Sequence, residues 1–376
     1  MSISFSLPKW YDLHTHMRQG AMLAPLIEQH LAMGCAGILA MPNTKPPIAK
    51  VLKSDAGADW SIEEYLGELH AAGGNQFSDI IVPLYLTAHT TPQMISEGAT
   101  TRLLRAVKYY PPHGTTNSES AMALSHFINN GVIATMEEHG VVLCIHGEKH
   151  ALAGEDYFGR ASNAEEAFYH EKMHLLCATY PQLKIVAEHI TTKVAADFVN
   201  SKGNNVAGTI TPQHLLYTIG DMLQGLKYHL YCMPIVKFEE DREALLSAVA
   251  DPLNVKYFAG TDSAPHSVKA TACGCAAGCY TGGIAPQLYA DAFEEAGVKL
   301  ATQSGQQTFI HFLCTNGAQF YNLPPQNINV PEETFTLTKT PQEIHVLKTE
   351  LGTITPLPIG MSPSPATSAI LNWSIP

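Results

Sequence analysis

Short apolar runs rich in β-branched residues recur along this chain, separated by stretches whose apolar residues fall three and four apart. The runs are "YDLH" (11–14), "GILAMP" (37–42), "IIVPLYL" (80–86), "AVKYY" (106–110), "VVLCIH" (141–146), "KIVAEH" (184–189), "VAGTIT" (206–211) and "VKYFAGT" (255–261), eight in all. Between them lie segments such as "APLIEQHLAMG", "SIEEYLGELHAAG", "SESAMALSHFINNGVIATMEEHG" and "NAEEAFYHEKMHLLCATYP". Several of these end in Gly, a common helix stop. Continuous apolar strands alternating with amphipathic helices mean parallel strands covered by helices on the outside. Eight such units predict an α/β fold of the (β/α)8 (TIM) barrel type. From about residue 323 the chain becomes rich in Pro and Thr with short strand-like pieces, which predicts a barrel over 1–322 and a C-terminal extension over 323–376 packed against it.

The bulk numbers exclude several classes. With 376 residues, 45% hydrophobic and 15% charged, the chain has the make-up of a globular protein with a large core. No apolar run approaches the ~18–20 residues of a membrane span, and "MSISFSLPKW" has neither the basic-then-apolar order of a secretion signal nor the Arg-rich character of a transit peptide. A cytoplasmic protein with no membrane partner is expected. A net charge of −12 with no basic run argues against nucleic acid, but leaves room for a small anionic substrate held by local cations. The eight cysteines are too sparse for a disulfide scaffold. The 18 histidines exceed what packing alone suggests.

A barrel of this type does its chemistry at the C-terminal ends of its strands. In "YDLHTHMRQG" the first strand ends in His14 and His16, which share a face if the strand continues, with Arg18 one step further out. Strand 4 carries Lys108, strand 5 ends in His146, strand 6 ends in His189, and Asp262 follows strand 8. Singly, each has an ordinary reading: a hydrogen-bonded strand-end His, a capping Asp, a Lys reaching solvent. Together, four histidines, an aspartate and a lysine on one rim match the ligand types of a metal centre. "CGCAAGC" (273–279) reads either as a soft-metal site or, with its small residues, as a loop facing a ligand. His150, His170 and His174 lie in polar helical sequence and read as surface residues.

The set of HxH on strand 1, lysine on strand 4, histidines after strands 5 and 6 and aspartate after strand 8 resembles the amidohydrolase superfamily. In order along the chain, "DLHTHMR", "MPNTKPP", "KYYPPHGTTNS", "HGE", "EHITTK", "TPQHLL", "YCMPIVK", "GTDSAPH" and "CGCAAGC", with "LNWS" near the end, resemble the monofunctional dihydroorotase family. The resemblance implies two zinc ions per subunit. One would be held by His14, His16, Asp262 and a carboxylated Lys108, and the other by the same carbamate with His146 and His189. It further implies that Arg18, Asn43 and His266 grip a substrate carboxylate, that Met233 and Ala276 (or Ala277) make backbone contacts, and that Thr115 and Thr116 belong to a lid. A homodimer is implied by the resemblance alone. Two departures stand out: Gln19 replaces an expected acidic residue, and "CGCAAGC" is one residue longer than the family's run.

The implied chemistry is hydrolysis of a cyclic amide, with Asp262 moving the proton from water to the leaving nitrogen. The small-molecule substrate pair would be dihydroorotate and carbamoyl aspartate, a step of pyrimidine biosynthesis. Two alternatives remain open at this point. A hydantoinase- or dihydropyrimidinase-like amidase needs no carboxylate clamp, and a catalytically inactive assembly partner would have no need of a complete ligand set.

Overall fold

The computed structural model describes residues 3–114, 117–118 and 121–376. Its centre is a ring of parallel strands: β1 (Trp10–Thr15), β2 (Cys35–Ala40), β3 in two pieces (Asp79–Ile81 and Leu84–Tyr85), β4 (Ala106–Tyr109), β5 (Val142–His146), β6 (Ile185–Glu188), β7 (Val206–Ile210) and β8 (Tyr257–Ala259). The eight runs read from the sequence are the eight staves of a (β/α)8 barrel. β3 is broken because Pro83 has no N–H to give a neighbour. Its first piece pairs with β2 and its second with β4.

The ring closes between its first and last strands through the residues that follow β8. The Asp262 N–H donates to the His14 carbonyl at 2.8 Å, and the His16 N–H donates to the Ser263 carbonyl at 2.9 Å. Below this seam the buried Asp12 carboxylate accepts from the Thr261 N–H at 2.9 Å and the Thr261 hydroxyl at 2.6 Å, and it lies 3.2 Å from His30 Nε2. Asp12 thereby ties β1 to the end of β8.

Within β1 the register slips: Asp12 faces Ile38 of β2 and Thr15 faces Ala40, so three steps on one strand match two on the other. Such a bulge reverses which side chains point inward. Tyr11 and Leu13 therefore pack with Ala106, Val142, Val186 and Phe258 inside the lower barrel, floored by Tyr321 and Leu323, while His14 turns into the upper cavity.

Helices line the outside. Ile62–Ala71 starts with a capping box in which Ser61 and Glu64 satisfy each other's backbone N–H groups. The helix-like stretch 118–140 contains two short helices among its described residues, Ser125–Ile128 and Val132–His139. Gly131 between them is left-handed, with φ at 87°. After residue 323 the strand Thr334–Thr338 pairs antiparallel with the N-terminal strand Ser4–Pro8. The fully buried Trp373 packs edge-on against Phe5 at 6.0 Å. The two chain ends thus share one small sheet, because the alternating Phe5 and Leu7 need an apolar cover from outside the barrel.

Candidate active site

The C-terminal rim surrounds a small cleft lined mostly by polar side chains. One end of it is histidine-rich. His16 Nε2 lies 3.0 Å from Asp262 Oδ1 and His14 Nε2 lies 3.4 Å from the same oxygen. Among the described residues, His14, His16 and Asp262 are the one group of three or more His, Cys, Asp or Glu side chains gathered closely enough to share an ion. The His189 ring stands 4.8 Å from that of His14 and 4.7 Å from that of His146. Two of these residues reach the cavity by leaving the strand conformation: φ is 39° at His189 and 48° at Asp262. Such left-handed backbone is uncommon outside glycine and marks a position held by its surroundings.

Carboxylates behind the rings fix which nitrogen each ring presents. Glu188 Oε2 lies 2.7 Å from His14 Nδ1 and accepts from the Thr209 hydroxyl at 2.6 Å. Glu148 Oε2 lies 2.7 Å from His146 Nε2. His14 is left with Nε2, and His146 with Nδ1, for a ligand. Lys108 sits on the inward alternation of β4, fully buried, and its Nζ has no hydrogen-bond partner among the described residues. His189 Nδ1 and Glu188 Oε1 are buried and unpartnered as well. An orphan amine, an orphan imidazole nitrogen and an orphan carboxylate oxygen beside a His–His–Asp group fit a metal centre far better than a packed core.

Electrostatics point the same way. Burial lowers the Lys108 pKa, with Glu188, Cys144 and Asp262 only partly opposing it. Burial also lowers His146 and His189, and it takes His16 down to about 4. These imidazoles are neutral, the form that binds metals. His14 is the exception: burial lowers it, but Glu188 and then Asp262 outweigh burial and raise it. Asp262 sits well below the usual carboxylate range, because its contacts with His14 and His16 overcome burial. The negative charge that holds His14 up is the charge a divalent cation would neutralise.

The other end of the cavity carries Arg18 and Asn43. Arg18 is not on a continuing strand: β1 stops at Thr15, and Arg18 is placed by a left-handed turn with φ at 61°. Its carbonyl accepts from the Tyr65 hydroxyl at 2.7 Å, and its Nε donates to the Pro265 carbonyl at 2.9 Å. Arg18 Nη2 lies 3.0 Å from His266 Nε2, which in turn lies 2.8 Å from the Ala277 carbonyl. Burial and the neighbouring Arg18 push His266 down to about 3, so it is a neutral ring with one proton to offer. Gln19, where an acid was expected, bridges to residue 45 instead. It donates to the Lys45 carbonyl at 2.9 Å and accepts from the Lys45 N–H at 2.8 Å.

The remaining candidates divide. Met233 lines the cavity. Of the two alanines, Ala277 reaches it together with Gly278, whereas the Ala276 N–H is committed to the Lys269 carbonyl at 2.8 Å. The three thiols of "CGCAAGC" form no ion-sized group among the described residues; Cys273 is exposed, Cys275 half-buried and Cys279 buried. Thr115 and Thr116 lie outside the described residues. His150, His170 and His174 are exposed. Sequence reasoning missed Glu188, Glu148, Tyr110 and Lys269. The first was readable, since alternation with the inward Val186 puts Glu188 on the inner face of β6.

No family model matches the chain. It is 41% identical over 346 residues to a dihydroorotase of Halorhodospira halophila, covering 91% of this chain and 92% of that one. A crystal structure of dihydroorotase from Saccharomyces cerevisiae in complex with 5-fluoroorotic acid superposes with a TM-score of 0.83 at 29% identity, over 99% of this chain and 98% of that one. The L-hydantoinase (dihydropyrimidinase) of Arthrobacter aurescens superposes with a TM-score of 0.72 at 15% identity, over 99% of this chain and 83% of that one, which shows a shared barrel only. On close similarity over nearly its whole length, the chain belongs to the dihydroorotase family of amidohydrolases.

Proposed function

We propose that the chain interconverts N-carbamoyl-L-aspartate and L-dihydroorotate plus water, using two zinc ions and a carboxylated Lys108. The observation that carries the reading is Lys108 itself, a fully buried amine with no hydrogen-bond partner among the described residues, beside an unpartnered His189 nitrogen. A lowered amine pKa favours the free base, which combines with carbon dioxide to give a carbamate and a proton. That carbamate would join His14, His16 and Asp262 on one side and His146 and His189 on the other. Bound zinc supplies Lewis acidity to the carbonyl under attack and brings the pKa of water from about 15.7 towards about 7.

The chain's own residues do the rest. Arg18 offers its planar guanidinium to the substrate carboxylate, with Asn43 and His266 beside it. Met233 and Ala277 contribute the facing wall, and the lid role of Thr115 and Thr116 is carried by resemblance. Asp262 accepts a proton from the attacking water and passes it to the ring nitrogen as the amide C–N bond breaks. The catalytic unit comprises 1–322, with 323–376 as a cover rather than a second site. A cytoplasmic homodimer completes the proposal.

The test is hydrolysis of dihydroorotate by zinc-loaded protein, beside an uncharged dihydrouracil control. Turnover of dihydroorotate alone is expected; turnover of dihydrouracil alone would replace the substrate, and no turnover with zinc bound would leave an inactive partner. Hydrolysis creates a second carboxylate and releases one proton at neutral pH. The equilibrium should therefore shift towards dihydroorotate as pH falls and towards carbamoyl aspartate as it rises, which product ratios at three pH values will show.

A further inference from the structure

Tyr110 follows β4 on the same alternation as Ala106 and Lys108, and it forms part of the cavity wall shared with Arg18, Asn43, His146 and Asp262. Its ring is held without help from its hydroxyl. The Tyr85 ring packs edge-on at 5.0 Å, Lys108 Nζ lies 5.1 Å from the ring centroid, and the His146 ring is 6.3 Å away. The hydroxyl is buried and has no hydrogen-bond partner among the described residues.

Neighbouring tyrosines show the contrast. The Tyr65 hydroxyl is committed to the Arg18 carbonyl. Tyr109 turns outward and stacks on Phe168 at 6.0 Å. The hydroxyls of Tyr169 and Tyr280 are unpartnered too, but neither residue lines the cavity. Leaving a buried hydroxyl unsatisfied is costly, so one on a residue that lines a polar cavity is explained when a ligand supplies its partner. A phenol is protonated at neutral pH and so has an O–H to donate. The Tyr110 ring stands beside Lys108 and His146 on the wall it shares with Asp262, next to where a ring bound by its carboxylate would present its reacting amide.

We propose that Tyr110 is a catalytic residue of the cyclic-amide reaction, donating a hydrogen bond to the carbonyl oxygen under attack. The bond strengthens as that oxygen gains negative charge in the tetrahedral transition state, and the proton stays on the phenol throughout. The inference rests on the reading given under Proposed function.

The experiment compares parent and Tyr110→Phe, both as full-length zinc-loaded protein. Removing one such donor costs on the order of 10²–10³ in rate, so kcat for dihydroorotate should fall by roughly that factor while KM changes by less than about threefold. Zinc per chain and the Kd of 5-fluoroorotate, a planar ligand with no tetrahedral centre to stabilise, should not change. The melting temperature should not drop, because the hydroxyl has no protein partner to lose. A variant with kcat within about twofold of the parent, a defect confined to KM, or a clear loss of melting temperature would each overturn the assignment. A parent inert towards dihydroorotate overturns the underlying reading and the assignment with it, whereas an active parent with an equally active variant overturns the assignment alone.

Discussion

Glu188 illustrates how much of this site is decided behind the ligands. Its carboxylate reaches His14 Nδ1 at 2.7 Å and is itself pinned by Thr209, so the ring presents Nε2 to the cavity. Replacing Glu188 with Gln keeps the size but removes the charge that raises His14 and orders its tautomer. Losing a partner of this kind typically weakens metal binding by about 10–100-fold. We expect zinc affinity to fall in that range when measured by chelator competition, with folding retained by circular dichroism. Glu148 stands behind His146 in the same way.

Loops rather than strands shape the substrate end, and a single amine organises two of them. Lys269 Nζ donates to the carbonyls of Tyr231 and Ala276 at 2.6 Å and of Gly278 at 2.5 Å. It therefore fixes the segment before Met233 against the one carrying Ala277. Lys269→Met would take this donor from the Ala276 and Gly278 carbonyls and leave the Tyr231 carbonyl with the Gly278 N–H alone. Each uncompensated buried group costs about 1–3 kcal/mol, so the expected result is a lower melting temperature and a KM for dihydroorotate raised several-fold, with zinc content unchanged. Kinetics and metal analysis on the same preparation check it. Lys269 lies outside every motif the sequence reading used, and its three acceptors are backbone atoms that leave no trace in side-chain patterns. The strand-end histidines were legible because alternation and strand order place them on one rim. The left-handed turns at Arg18, His189 and Asp262 were not, since each depends on contacts from distant segments. The helix-like stretch 118–140 holds two short helices because Gly131 interrupts it, and the choice between Ala276 and Ala277 stayed open because the register of a loop cannot be counted from its composition.

At the scale of the whole molecule, the barrel is a ring whose seam runs through Asp12. Removing this buried carboxylate strands the Thr261 N–H, leaves the Thr261 hydroxyl only a 3.4 Å contact with the His14 carbonyl, and takes one partner from His30 Nε2. Breaking a buried charged network of this kind costs about 3–5 kcal/mol. Asp12→Ala should shift the urea midpoint accordingly, and because Thr261 adjoins Asp262, it should also weaken zinc binding. The N- and C-terminal strands reinforce the ring from outside by pairing Ser4–Pro8 with Thr334–Thr338.

The seam has a further consequence for how a molecule comes into being. His14 lies on the barrel's first strand and His16 just past its end, and Asp262 lies beyond the strand that completes the ring. No chain shorter than 262 residues contains both halves of that His–His–Asp group. A metal held by all three groups would therefore mark a molecule whose first and last staves have come together.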